Sequence, residues 1–359
     1  METQHVFVAM SGGVDSSVAA VLLQQEGYRL SGVNLRMFHN KDLGDPQEKT
    51  CCSQRDAEDA GMVARRMGFP FYVFDFAPIF REKVIRNFIE EYQCGHTPNP
   101  CVECNRSVKF GALLEKVRTL GADYLATGHY AQVAWDETRG RFLLKRGADR
   151  SKDQSYFLYM LTQDQLAHTL FPLGGLRKED VRQIAEEQGL INAKKRDSQD
   201  ICFVPNGKYA DFIERTTGQI SEPGPYLDEE GRVVGQHKGL IRYTRGQHKK
   251  LGISTERPMY VLRKDLENNA IHLGSDSALW EASLIAENLN WISIPELTAP
   301  IRVTAKTRYS QREADAEVAP LPDGRVCVTF DEPQRAITAG QAVVFYDGEI
   351  VVGGGMICG

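Results

Sequence analysis

Within the first 27 residues an apolar run, His5 to Met10, meets the turn Ser11-Gly12-Gly13-Val14-Asp15-Ser16-Ser17, and then a helical pattern that stops at Gly27. No other feature restricts the fold as much. A strand feeding a helix through adjacent glycines lets backbone N–H groups approach an oxyanion, and the helix N-terminus adds positive potential. Ser11, Ser16 and Ser17 can add hydroxyl donors. Asp15 is out of place beside phosphate unless it caps the helix or helps hold Mg²⁺. The turn follows neither G-x-x-x-x-G-K-[ST] nor G-x-G-x-x-G, so it is neither a γ-phosphate-cleaving loop nor a dinucleotide fingerprint.

The pattern that follows repeats the alternation. YRLSGVNLRMF reads as a strand, DAEDAGMVARRMG as a helix with Ala60, Val63, Ala64 and Met67 on one stripe, and FPFYVFDF as a strand. A helix with Phe80, Val84, Ile85, Phe88 and Tyr92 inward comes next, then RSVKFGALLEKVRTLG as another, then the strand ADYLATGHY. Such alternation predicts an α/β domain with a doubly wound parallel sheet over residues 1–205. Near Asn206 the texture turns rich in Gly, Pro and acids, which places a boundary there and a small strand-rich module over 206–277. From 278 to 359 the period is two. Turns at Pro322-Asp323-Gly324 and Asp347-Gly348 predict a C-terminal antiparallel β-barrel.

Charge adds a second layer. The chain of 359 residues carries a net charge of −5, which argues against indiscriminate nucleic-acid binding. Yet Gly231 to Thr255 holds Arg232, Lys238, Arg242, Arg245, Lys249 and Lys250 with no acid, and Arg302, Lys306, Arg308 and Arg312 form another acid-free tract. Lys194-Lys195-Arg196 is a third. A charge run is usually a solvated face, but three on an acidic chain favour a polyanion footprint. No stretch reads as a signal peptide or membrane span, so a cytoplasmic location is expected.

In a reducing compartment the eight cysteines are better read as reactive than as staples. Thr97-Pro98-Asn99-Pro100-Cys101-Val102-Glu103-Cys104-Asn105 sets a C-x-x-C in a proline-stiffened loop, with Asn105 or Ser107 available to cap the next helix. A thiolate is stabilised at a helix N-terminus. Cys202, in DSQDICF, follows the third basic run. One C-x-x-C is half of a structural zinc site, so zinc, a redox pair and incidental spacing stay open for the motif alone. Adjacent Cys51 and Cys52 read as a polar helix start with Ser53 as cap, and Cys94, Cys327 and Cys358 as structural or incidental thiols.

The string SGGVDSS in its strand–loop–helix setting resembles the PP-loop of the ATP pyrophosphatase family. That resemblance implies cleavage of ATP between the α- and β-phosphates. The whole chain is similar to the tRNA-specific 2-thiouridylase family, through AMSGGVDSSVAA, TPNPCVECN, GADYLATGHY, SKDQSYFLYML, AKKRDSQDICF, KTRYSQ and GQAVVFYDGE.

By position, the resemblance implies ATP held by Ala9, Met10, Ser11, Gly12, Gly13, Val14, Asp15 and Ser16, with Leu35 and Gly128 near the nucleotide and Mg²⁺ accompanying it. It implies Cys104 as nucleophile and Cys202 as persulfide carrier, the two ending as a transient disulfide. Contacts to tRNA are implied for Asn99, Pro100, Cys101, His129, Lys152, Asp153, Gln154, Arg308, Tyr309 and Gln341. Read alone, His129 is a satisfied strand-end side chain. A sulfur donor such as a cysteine desulfurase or a relay protein is implied as partner. One departure stands out: many relatives carry a catalytic aspartate where this chain has Cys101. Cys101, Cys104 and Cys202 are therefore also candidate ligands of a 4Fe–4S cluster holding sulfide. A ligase or amidotransferase built on the same loop, and a nucleotide-gated RNA-binding protein, are the remaining alternatives.

Overall fold

The computed structural model describes residues 3–38, 54–195, 201–204 and 207–358. Five parallel strands, β1 (His5–Ala9), β2 (Arg29–Arg36), β3 (Phe71–Asp75), β4 (Tyr124–Ala126) and β7 (Thr169–Leu170), form one sheet in the order β3-β2-β1-β4-β7. Side chains alternate across it. Phe7, Val33 and Leu35 enter one apolar layer, and Val6, Val8 and Leu30 enter the other. Helix α1 (Val14–Gln25) packs into the second layer, with α2 (Gln54–Met67) supplying Ala60, Val63 and Ala64 beside it. The helical segments of residues 77–93 cover the first layer with Phe80, Val84, Ile85, Phe88 and Tyr92. Helices on both faces of an all-parallel sheet make the doubly wound domain that the alternation predicts.

Strands β8 (Gly224–Leu227), β9 (Val233–His237), β10 (Tyr260–Asp265) and β11 (Ala270–Gly274) build a separate small sheet over Tyr226, Tyr243, Leu251, Val261, Ile271 and Leu273. Six antiparallel strands follow: β12 (Trp280–Trp291), β13 (Ile301–Lys306), β14 (Ala314–Pro320), β15 (Val326–Arg335), β16 (Ala342–Asp347) and β17 (Ile350–Ile357). They close into a barrel through β12–β17 pairing. Turns at 322–324 and 347–348 fall where their residues require.

The sequence gives no warning of β5 (Ala131–Asp136) and β6 (Arg141–Arg146). This hairpin leaves the α/β domain and extends the barrel sheet, with Lys145 opposite Ile350. Arg141 donates to the carbonyls of Trp291 and Ile292, and Asn290 donates to those of Tyr159 and Leu161. The α/β domain and barrel are thus joined by backbone acceptors, groups that are costly to bury unpaired. Among the described residues no helix is long and apolar enough to cross a membrane.

Candidate functional site

The phosphate-type loop leaves β1 at the C-terminal edge of the sheet, where open α/β sheets bind ligands. Gly12 has φ +76, and a Cβ there would lie 2.2 Å from the Asp56 carbonyl oxygen, so no other residue fits. Gly128, beyond β4, presses against the Asp15–Ser16 backbone, where a Cβ would lie 2.9 Å from Ser16 N. Ser16 and Ser17 hydroxyls both donate to the Gly13 carbonyl, and Ser16 Oγ accepts from Ser11 N. Asn34 Nδ2 donates to the Met10 carbonyl at 2.8 Å. Val14 opens α1, whose first amides have no partner within the helix and face the loop side.

Asp15 neither caps α1, whose cap position is Gly13 with no side-chain bond, nor stands as an open carboxylate. Lys178 Nζ lies 2.7 and 2.9 Å from its oxygens, and Tyr130 OH donates to it at 2.9 Å. Its charge is matched by protein, which makes it a poor fit for holding Mg²⁺.

The cysteine motif opens a helix earlier than the sequence suggests. Asn99, not Asn105 or Ser107, is the cap, and its side chain accepts from Cys101 N at 3.1 Å with Pro100 in the first turn. The missed signal was Asn-Pro, a cap followed by the residue best tolerated at the first helical position. Asn105 instead points inward and donates to the Phe157 carbonyl, and Ser107 bonds Glu103. Cys101 is therefore the thiol in the first turn, and it is exposed. Cys104 is buried at the start of a π-helical stretch, Cys104–Leu113, a register found most often at functional sites.

Cys202 is half-buried and packs against the same apolar layer that contains Cys104 and Leu35. Its neighbour Phe203 is fully buried among Phe80, Phe88 and Phe212, with ring centroids 5.2 to 5.6 Å away. Among the described residues no three His, Cys, Asp or Glu side chains gather as a metal ion or cluster would need. Cys101, Cys104 and Cys202 thus do not fit a cluster in this arrangement. Cys51, Cys52 and Ser53 lie outside the described residues. Cys94 is exposed and Cys327 and Cys358 are half-buried, so none of them packs as a core thiol.

Of the expected tRNA positions, Arg308, Tyr309 and Gln341 line one open pocket of ≈ 200 Å³ with Thr97, Thr244, Ser310 and Thr338, where all three sheets' loops meet. Gln341 donates to the Thr97 carbonyl at 2.7 Å, and Thr97 N donates to that of Ala339, so the barrel grips the chain just before Asn99. Burial lowers the Arg308 pKa, and its guanidinium bonds the Ala336 carbonyl and Thr338 hydroxyl. Tyr309 stacks on Phe157 at 4.4 Å.

Lys152, Asp153 and Gln154 lie on the turn after β6, close enough to that pocket for the charges of Asp153 and Lys152 to act on the Tyr309 hydroxyl. Asp153 is buried, its carboxylate accepting from Gly147 N and from Ser155, and Gln154 exchanges bonds with the Tyr130 backbone. These two hold the turn together. His129 sits between Phe110 and Phe171 and bonds Thr127 Oγ1 at 2.7 Å. Burial, then nearby Lys109, pushes its pKa well below the usual histidine value, so it is neutral.

The basic tracts are less available than the sequence suggests, because acids just outside a tract or remote in sequence pair with them. Arg232 pairs with Asp228 and Glu230, Arg242 with Asp211 and Glu214, Arg245 with Glu281 and Arg302 with Asp331. Lys238, Lys249, Lys250 and Arg312 stay exposed. Lys195, read as part of a polyanion run, instead turns inward to Asp56 and Asp59. Sequence reasoning also missed Asn192, Tyr130 and Lys178, which reach the phosphate-type loop from more than a hundred residues away.

Comparison with known proteins agrees with this layout. Residues 4–206 match the tRNA methyl transferase HUP domain family, 210–275 the tRNA methyl transferase PRC-barrel domain, and 281–357 the aminomethyltransferase beta-barrel domain. The chain is 50% identical over 358 residues to a tRNA-specific 2-thiouridylase MnmA of Acetivibrio thermocellus, covering 99% of this chain and 100% of that one. It is 51% identical over 356 residues to tRNA-specific 2-thiouridylase MnmA 1 of Caldanaerobacter subterraneus subsp. tengcongensis, covering 98% and 97%. The enzyme of that name from Halothermothrix orenii is 49% identical, covering 98% of each chain.

Proposed function

The chain belongs to the tRNA-specific 2-thiouridylase family, and on that premise we propose that it replaces O2 of a tRNA uridine with sulfur at the expense of ATP. The base is the wobble uridine of lysine, glutamate and glutamine tRNAs. Residues 1–205 carry the chemistry, while 206–277 and 278–359 hold the tRNA.

ATP lies along residues 9–16, its phosphates against the amides at the start of α1. Uracil O2 attacks the α-phosphorus and pyrophosphate leaves. The terminal sulfur of a Cys202 persulfide, charged by a donor such as a cysteine desulfurase or relay protein, adds to C2. AMP departs with the former O2. The Cys104 thiolate then attacks Cys202 Sγ, which breaks the S–S bond, leaves sulfur on the base and joins the two cysteines as a disulfide. An external thiol reopens it. Activation makes a poor leaving group good, and two thiols split one hard displacement into easier ones.

The observation that carries this reading is the shared apolar layer of Leu35, Cys104 and Cys202, on the sheet whose β1 runs straight into the phosphate-type loop. Incubation with unmodified lysine tRNA, ATP, cysteine and a cysteine desulfurase as persulfide donor tests it: thiolated tRNA is retarded on a mercury-containing gel. Transfer of ammonia or an amine to the activated base that survives loss of both Cys104 and Cys202 points instead to ligase or amidotransferase chemistry.

A further inference from the structure

Asn192 and Lys195 form a clamp on the back of the phosphate-type loop, and we infer that they are positioning residues that set its amides against the phosphates of ATP. The inference rests on the reading of residues 9–16 as the nucleotide loop. Asn192 is 4% exposed. Its Nδ2 donates to the carbonyls of Gly12 and Gly13, at 3.1 and 3.0 Å, and lies 2.8 Å from Ser17 Oγ. Lys195 Nζ donates to the same Gly12 carbonyl at 3.1 Å, and to Asp56 and Asp59 at 2.5 and 2.9 Å.

Two carbonyls that can only accept fix which end of the Asn192 amide faces the loop. Its own Oδ1 is left buried with no hydrogen-bond partner among the described residues. A buried orphan oxygen is a cost that calls for a reason, and the reason here is the delivery of two N–H donors to consecutive loop carbonyls. A peptide plane has its C=O and N–H on opposite sides. Drawing the Gly12 and Gly13 carbonyls back toward Asn192 and Lys195 therefore turns the following amides, those of Gly13 and Val14, the other way. In a P-type loop it is such amides that meet oxyanions. Asp56 completes the device, since its backbone oxygen closes on Gly12 from the side while its carboxylate holds Lys195. The Lys195 ammonium also offsets part of the negative potential of those two acids near a site for a polyanion.

The test is ATP binding by titration calorimetry, KM for ATP in AMP formation, and tRNA affinity, on the full chain. Thermal unfolding is the check on folding. Asn192→Ala and Lys195→Met are expected to weaken ATP binding roughly ten- to a hundredfold, the scale of small misplacements in a preorganised site, with tRNA affinity within about twofold. Asn192→Asp sets a carboxylate against two carbonyls and is expected to be worse than Asn192→Ala. Lys195→Arg keeps a donor and the ion pairs, and restores most of the loss. Should wild type bind no ATP, the reading of the loop fails. Should wild type bind ATP and Asn192→Ala and Lys195→Met bind it equally well, whatever their melting temperatures, the clamp is structural only and the inference is overturned. If these variants misfold, Lys195→Gln, which keeps a donor for the Gly12 carbonyl but loses the ion pairs, decides: a raised KM for ATP without change in tRNA affinity is expected, and a wild-type KM overturns the inference.

Discussion

The phosphate-type loop and the turn that carries Cys202 are anchored in different ways. Polar side chains drawn from residues 34, 192 and 195 bond the loop carbonyls, and the Asp56 backbone abuts Gly12. Cys202 has an apolar tether: Phe203, driven into a cluster of aromatic rings. A phosphate cradle must hold dipoles in fixed directions, and directional hydrogen bonds do that. Burial of the neighbouring Phe203 ring fixes the position of the Cys202 turn by non-directional packing instead.

Substitutions in each region separate the two halves. The largest effect is expected from Cys202→Ser or Cys104→Ser, which should lower thiolated tRNA on the mercury gel at least a thousandfold, as removal of a covalent catalyst does. ATP affinity should stay within about twofold. Gly12→Ala strikes the other half, since the new methyl meets the Asp56 carbonyl at 2.2 Å in a left-handed backbone. ATP affinity should fall about a hundredfold, with alkylation of Cys104 and Cys202 by iodoacetamide unchanged.

Phe203→Ala should cost about 3–5 kcal/mol of stability in denaturant unfolding. Phe203→Leu, nearer in volume, should cost less than about 1.5 kcal/mol yet slow sulfur transfer more than adenylation. The smallest effect concerns pH. His129 is neutral in the fold because its pKa is depressed, so its contribution is complete above the unfolded value near 6.5 and is lost as pH falls below it. Stability should drop by about 1.4 kcal/mol per pH unit there, and His129→Gln should remove that part of the slope.

Much of this contrast could be read directly from the chain. The phosphate-type loop, the strand–helix alternation and the barrel hairpins are local patterns, each set by a few adjacent residues. The clamp is not local. Asn192 and Gly12 stand 180 residues apart, and a Lys-Lys-Arg run looks the same whether it faces solvent or Asp56. The hairpin β5–β6 is equally hidden, because period-two residues announce a strand but not which sheet receives it. At Asn99-Pro100 the signal was present and was outweighed by Asn105, a residue whose side chain proved to be needed inside, on the Phe157 carbonyl. Acid-free tracts misled for a related reason: charge balance is struck in space, and Glu281 reaches Arg245 across the fold.

The central claim is that the oxygen removed from the base leaves on AMP while a cysteine-borne sulfur takes its place. Lysine tRNA labelled with ¹⁸O at uridine O2, turned over with ATP, cysteine and a cysteine desulfurase, tests it by mass spectrometry of the nucleotide. The account predicts one ¹⁸O in AMP for each thiolated uridine. Label appearing in water, or thiolated tRNA formed with unlabelled AMP, would contradict it.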